Sequence, residues 1–221
     1  MEIKNWSDLN LKENLLRGIY SYGFENPSEI QKKAIKPVVD GNDVIAQAQS
    51  GSGKTGTFSI SSLQIVDPNI NDLQVLILAP THELVLQICK VIKDLSEFME
   101  NIKIKSLIGG TSVQEDMKDI KKKMPQIIVG TVGRTIDMIK RKIIFIDKLE
   151  LLVLDEADEM LSGTFKENIQ FLCKEMTDKT KISIFSATLP RSILELTDKF
   201  MRDPIKLTVK KEELTLECIE Q

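Results

Sequence analysis

Histidine is almost missing from this sequence, with one residue at position 82, and cysteine occurs three times, at Cys89, Cys173 and Cys218. Thiols so far apart and odd in number, with a single imidazole, support neither a disulfide framework nor a zinc site. They fit a reducing compartment, which makes the cytoplasm the expected location and the nucleus the alternative. Aromatic residues make up 5% of the chain, so its core has to be aliphatic. No run of about 18 apolar residues exists, which leaves no candidate for a membrane-spanning helix. The opening M-E-I-K-N-W has the pattern of neither a signal peptide nor a transit peptide. A surplus of positive charge is missing too: 30 Lys and Arg stand against 33 Asp and Glu, a net charge of −3. That argues against holding nucleic acid through bulk charge, although a local site made of loops and helix ends stays possible.

What is present is enough for one large α/β domain: 221 residues, 42% hydrophobic and 29% charged, with no internal repeat or domain boundary. Apolar runs of strand length sit at 44–46, 75–79, 104–108, 127–129, 151–154 and 182–185. Helix-length polar stretches follow at 82–99, 113–123, 132–142 and 190–200. Continuous apolar strands alternating with helices predict a mainly parallel central sheet covered on both faces. Ahead of them, Leu11, Leu15, Leu16 and Ile19 have helical spacing over 10–22, and Gly23 ends that helix. A second helix opens after Pro27 with Ser28 as N-cap and Gln31 in its first turn, and Pro37 is expected to shorten or kink it. Lys121–Lys123 reads as a solvated helix end. The charged segment K-K-E-E-L-T-L-E before Gln221 reads as an exit towards a further domain.

The chain is organised around V-I-A-Q-A-Q-S-G-S-G-K-T-G-T-F, residues 44–58. A short buried strand breaks into Ser50-Gly51-Ser52-Gly53, and Lys54-Thr55-Gly56 then starts a helix. Glycine frees backbone N–H groups to point inward around a phosphate. The helix adds its positive end, Lys54 a mobile charge, and Thr55 a hydroxyl for Mg²⁺. Ala48 stands where the usual phosphate loop has its first glycine. A nucleoside triphosphate is the expected ligand.

In a parallel sheet, ligands collect where strands end at the carboxyl edge. After Leu154 come Asp155-Glu156-Ala157-Asp158. Asp155 would take the metal, directly or through water, and Glu156 would polarise the attacking water. After Phe185 come Ser186-Ala187-Thr188, hydroxyls at a neighbouring strand end. Pro80-Thr81, Gly109-Gly110 and Thr131-Val132-Gly133-Arg134 form further corners. Helix starts that expose backbone bind phosphate anions without a basic surface.

Taken in order, G-F-x-x-P-S-x-I-Q, A-Q-S-G-S-G-K-T, P-T-H-E-L, G-G, T-V-G-R, D-E-A-D and S-A-T resemble the first RecA-like domain of DEAD-box RNA helicases over essentially the whole chain. L-L-R-G-I-Y-S-Y-G-F-E, D-E-A-D-E-M-L-S and K-K-E-E-L-T-L-E carry a narrower similarity, to the translation-initiation branch of that family and its nuclear relatives. The resemblance implies an ATP-dependent RNA helicase with ATP and Mg²⁺ as cofactors, and it marks residues 6–31 as the adenine-recognition segment. Gln31 would read the adenine edge, since a carboxamide both donates and accepts. Phe24 would pack nearby and Trp6 would stack as the upstream aromatic. Pro80, Thr81, Gly109, Gly110, Thr131, Gly133 and Arg134 would line the backbone of single-stranded RNA with little reading of bases. Ser186 and Thr188 would couple Asp158 to domain closure. The resemblance further implies a missing C-terminal RecA-like domain, whose arginines reach the γ-phosphate, and partners among translation-initiation scaffold or splicing proteins. A non-catalytic RNA clamp or adaptor and an RNA-independent P-loop ATPase are the alternatives. Three positions depart from the family pattern: His82 replaces an arginine, Val132 a proline and Ser52 a threonine. The first two bear on RNA affinity more than on ATP chemistry.

Overall fold

The computed structural model describes residues 3–162 and 165–209. Both Cys218 and the charged segment 210–217 lie outside them. Among the described residues, seven parallel strands form one sheet, in the order β3-β4-β2-β5-β6-β1-β7. They are β1 (Val44–Gln47), β2 (Val75–Ala79), β3 (Ile104–Leu107), β4 (Ile127–Thr131), β5 (Leu151–Asp155), β6 (Lys181–Ser186) and β7 (Ile205–Thr208). Alternation along each strand sends its side chains to two separate cores. From β2, Val75, Ile77 and Ala79 face one side, and Leu76 and Leu78 face the other.

The first core is covered by α1 (Glu13–Ser21), α2 (Glu29–Val39), α3 (Lys54–Ile65) and α4 (His82–Leu95). The second is covered by α5 (Val113–Lys122), α6 (Val132–Lys140), α7 (Ala157–Ser162), α8 (Lys166–Glu175) and α9 (Arg191–Phe200). A single 3-10 turn, Trp6–Leu9, precedes α1. Every strand runs the same way, so the segments that follow them emerge at one edge. The strand order divides that edge: β5, β6 and β1 bring the glycine loop, the acidic cluster and Ser186–Thr188 together, while β3, β4 and β2 carry the remaining corners.

Three elements lie beyond the expected pattern. Strand β7 alternates half-buried and exposed residues at the sheet's edge, so it lacks the continuous apolar run of the inner strands. Helix α7 begins inside the acidic cluster, at Ala157, and α8 follows it. Helix α4 stops at Leu95, earlier than the expected 99, because Ser96 turns back with its hydroxyl on the Lys93 carbonyl (3.0 Å). Pro37 sits in the last turn of α2, which ends two residues later. Lys121–Lys123 are exposed at the end of α5. Cys89 and Cys173 are buried, and burial pushes their thiols up to about 11 and about 12, so neither presents a thiolate.

Candidate functional site

The loop after β1 turns through Gly51 (φ 81°) and Gly53 (φ 96°), the second being the N-cap of α3. Any residue with a Cβ is strained there. The start of α2 packs directly beneath: a Cβ on Gly53 would lie 2.6 Å from Ser28 Oγ, and one on Gly56 would lie 2.6 Å from Gln31 Nε2. Ser28 Oγ donates to the Ser52 carbonyl (2.9 Å), and Ser28 N donates to Gln31 Oε1 (2.7 Å). Gln31 Nε2 reaches the Gly53 carbonyl at 3.4 Å. Gln31 is therefore buried, capping α2 with one end of its amide and bracing the loop with the other. Ser52 is buried as well, its hydroxyl on the Gln49 carbonyl (2.7 Å), so it shapes the loop from inside.

A cleft of about 320 Å³ opens over the loop. Ser50, Gly51, Gly53, Lys54, Thr55 and Gly56 form its floor, Asp155 and Glu156 one end, and Tyr22 and Phe24 another. Lys54 is 6% exposed, and its Nζ donates to Glu156 Oε1 at 3.1 Å. Glu156 has φ 47°, a left-handed backbone that costs a non-glycine residue on the order of 1–3 kcal/mol and marks functional sites. Asp155 ends β5 in the interior. Burial pushes its carboxyl up to about 6, against the pull of Lys54 and with a further push from Glu156. Its Oδ1 is buried without a hydrogen-bond partner.

Asp158, Ser186 and Thr188 meet one strand away. Thr188 donates to Asp158 Oδ2 from Oγ1 (2.7 Å) and from N (3.2 Å), and Asp158 N donates to Ser186 Oγ (3.3 Å). Burial raises the Asp158 carboxyl, but these hydrogen bonds outweigh it and hold the group below its ordinary value.

Gln31 and Ser52 thus lie beneath the cleft and do not line it, and two more assigned residues stand elsewhere than expected. Trp6 is fully buried, its Nε1 donating to the Phe24 carbonyl (3.0 Å) and its ring stacked behind Phe24 at 6.1 Å. It supports the cleft wall and has no face in the cleft; an indole that large is used to fill the core. Tyr22, edge-on to Phe24 at 4.8 Å and 38% exposed, occupies the outer position. Arg134 was placed against the RNA backbone, but its side chain is 7% exposed and paired with the Asp116 carboxylate. It also donates to Thr111 Oγ1 (3.0 Å) and to the Thr111 carbonyl (2.8 Å).

The other corners lie along the second half of the edge, exposed at Thr81, Gly110 and Gly133 and buried at Thr131. Thr81 caps α4, its Oγ1 accepting from Leu84 N (3.3 Å), next to Pro80. Gly110 has φ 79°, Gly133 has open space where a Cβ would stand, and Thr131 is the N-cap of α6. A Cβ on Gly109 would lie 3.2 Å from His82 Nε2, so His82 packs against that corner. Val132 is buried in the second core and begins α6 in the regular way. Sequence reasoning missed Tyr22, Leu84 and Gln87 as cleft residues. The signal for α4 was its spacing, since 84, 87, 88 and 91 fall on one helical face.

A glycine loop between strand and helix, a buried lysine and a strand-end carboxylate define a P-loop nucleotide-binding domain of the RecA type. The profile of the DEAD/DEAH box helicase family matches residues 28–196. The chain belongs to that family. It is 55% identical over 219 residues to "ATP-dependent RNA helicase eIF4A" of Chaetomium globosum, covering 99% of this chain and 55% of the relative. The Aspergillus fumigatus protein of the same name is 55% identical over 213 residues, covering 96% of this chain and 52% of the relative. In structure it is similar to a DEAD box protein from the hyperthermophile Methanococcus jannaschii, with a TM-score of 0.90, 37% identity and coverage of 95% of this chain and 57% of that one. Dbp5 of S. cerevisiae, solved bound to Gle1 and IP6, follows at TM-score 0.84 and 29% identity, over 95% of this chain and 53% of that one. The chain spans about half the length of the curated relatives it matches.

Proposed function

We propose that this chain is the nucleotide-binding half of an ATP-dependent RNA helicase similar to eIF4A, one that hydrolyses ATP and remodels short RNA duplexes when joined to a second RecA-like domain. The observation that carries the reading is Asp155: a buried carboxylate whose Oδ1 has no partner, in the same cleft as Lys54 and the glycine loop. Among the described residues it is the one buried carboxylate oxygen without a partner, and a cation is one group that would complete it. Hard oxygen donors suit Mg²⁺, held by Asp155 and the Thr55 hydroxyl. One carboxylate and one hydroxyl suffice for an ion that takes most of its ligands from phosphates and water. Bound there, Mg²⁺ would supply positive charge against the transferring phosphate.

Nucleotide entry opens the Lys54–Glu156 pair. The lysine moves to the outer phosphates, and Glu156 becomes free to accept a proton from the attacking water. Phe24 and Tyr22 flank the adenine, and Gln31 would read its edge only by giving up its long contact to the Gly53 carbonyl (3.4 Å). Thr81, Gly109, Gly110, Thr131 and Gly133 present backbone groups to single-stranded RNA, and Asp158 with Ser186 and Thr188 relays closure. We take the cytoplasm as the location, with the nucleus as the alternative, and a translation-initiation scaffold or splicing proteins as partners; the complex of Dbp5 with Gle1 is a precedent for a relative bound to another protein.

The test is ATP turnover by this chain joined to a second RecA-like domain. RNA-stimulated hydrolysis, lost in Glu156→Gln with nucleotide binding retained, supports the reading. RNA held on a non-hydrolysable analogue without turnover selects a clamp. Turnover indifferent to RNA selects an RNA-independent ATPase.

A further inference from the structure

Arg134 is the only charged residue among those assigned to the RNA path, and its charge is already neutralised inside the protein. Its guanidinium pairs with Asp116, and both side chains are over nine-tenths buried. Asp116 belongs to α5 and was no part of the expected site. Its other oxygen takes Lys105 Nζ of β3 at 3.0 Å, and Lys105 in turn pairs with Asp119 at 2.8 Å. Through Arg134 the cluster also holds Thr111, by its hydroxyl (3.0 Å) and its carbonyl (2.8 Å). Thr111 directly follows Gly110, which has φ 79° and open space where a Cβ would stand. Four segments thus converge on one carboxylate: β3, the loop behind it, α5 and the first turn of α6.

We propose that Asp116 is the positioning residue of the RNA path. It locks the Gly109–Gly110 corner to the Thr131–Gly133 corner at fixed spacing, and it keeps Arg134 out of contact with RNA. The inference rests on the RNA-helicase reading and deepens it: the path on this domain is made of backbone donors and hydroxyls in preset positions, not of free cations. A glycine pair with no side chain to pack is mobile unless tied at its flank, and the tie runs through Thr111. Recognition then gains from order already in place rather than from counterion release.

The consequences differ from those of a phosphate-binding arginine. Asp116→Asn keeps shape but removes the charge that holds Arg134. Hydrogen exchange across 108–112 and 131–134 should quicken at least several-fold. At physiological salt, affinity for oligo-U, measured with a non-hydrolysable ATP analogue in the protein joined to its second domain, should fall several-fold. The released arginine should also steepen the dependence of log K on log salt, by about 0.7 if it finds one phosphate of a single strand. Arg134→Gln leaves Asp116 paired with Lys105 and serves as the second variant. It should weaken RNA binding as much as Asp116→Asn with an unchanged salt slope, and the double variant should be no worse than either single. Nucleotide affinity should stay constant in all three.

Unchanged exchange at both corners overturns the positioning role without reference to RNA. If Arg134→Gln flattens the salt slope while Asp116→Asn tightens RNA binding, the arginine touches phosphate directly and the proposal falls. Wild-type protein that binds no RNA even at low salt, with corners that still loosen in Asp116→Asn, removes the helicase reading and with it the lock's role in RNA binding.

Discussion

Lys54 and Glu156 neutralise each other across the cleft, and the pair sets what each substitution does. Lys54→Ala removes a contact that phosphate needs and the core does not. Charge-assisted hydrogen bonds contribute about 1.5–3 kcal/mol, so nucleotide affinity should drop at least about tenfold with little change in thermal stability. Unchanged ADP or ATP affinity by calorimetry would remove the P-loop assignment. Glu156→Gln should stop hydrolysis in the two-domain protein. It should also tighten nucleotide binding, because Glu156 no longer competes for the buried Lys54. Asp155 carries a pH dependence of definite sign. Its carboxyl is raised from 3.8 to about 6 by burial, so the fold binds this proton more tightly than the unfolded chain does. The penalty, on the order of 2–3 kcal/mol, is fully present above pH 6 and is relieved as the pH falls from 6 towards 4. Asp155→Asn should therefore raise the urea midpoint of the nucleotide-free domain at pH 8 and change it little near pH 4. Equal shifts at both pH values would mean that the carboxylate is not desolvated.

At the scale of elements, the inner strands were legible because each is a continuous apolar run with a hard stop at its end. Val75–Ala79 and Leu151–Asp155 match the expected strands within a residue. The glycine loop was legible for the same local reason: two glycines are required by two positive φ angles. Side-chain direction was not. Nothing in the sequence distinguishes an arginine that reaches solvent from one that turns inward to Asp116, because the partner is 18 residues away in the chain. Trp6 was misplaced for the same kind of reason, since burial depends on how α1 docks. That docking hangs on one residue. A Cβ on Gly18 would stand 2.0 Å from the Leu95 carbonyl oxygen, so α1 touches the end of α4 backbone to backbone. Arg17 over the Phe98 ring at 4.5 Å supports the same contact, and Lys12 Nζ on the Val66 carbonyl at 2.7 Å ties the start of α1 to the end of α3. Gly18→Ala forces α1 outward and should destabilise the domain by about 1–3 kcal/mol or more. Because α1 leads into Tyr22 and Phe24, it should also weaken nucleotide binding. A stability loss with adenine affinity intact would show that the aromatic wall does not depend on α1.

For the whole molecule, the divided edge bears on what this chain does alone under the proposed reading. The nucleotide cleft lies over β5, β6 and β1 and the other corners over β3, β4 and β2, and both open outward from the same side of one sheet. A γ-phosphate seated on Lys54 and Thr55 would be faced by protein on one side and by water on the other. Preorganised charge stabilises a transition state strongly only where water is excluded, because the interaction falls with the local dielectric. Groups that reach across from a second domain contribute on the order of 10³–10⁵ in rate in related NTPases, and this chain covers 55% of the length of an eIF4A relative. The proposed RNA path is likewise one face only, made of the corners that follow β2, β3 and β4. Residues 1–221 should therefore bind adenine nucleotide weakly and single-stranded RNA barely at physiological salt, and should leave duplexes intact. ATP turnover should stay near background and should not rise on adding poly-U, while the two-domain protein responds under the same conditions. Robust RNA-stimulated hydrolysis by residues 1–221 alone would mean that the cleft over β5, β6 and β1 is already a complete catalytic site, and that the open edge costs it nothing.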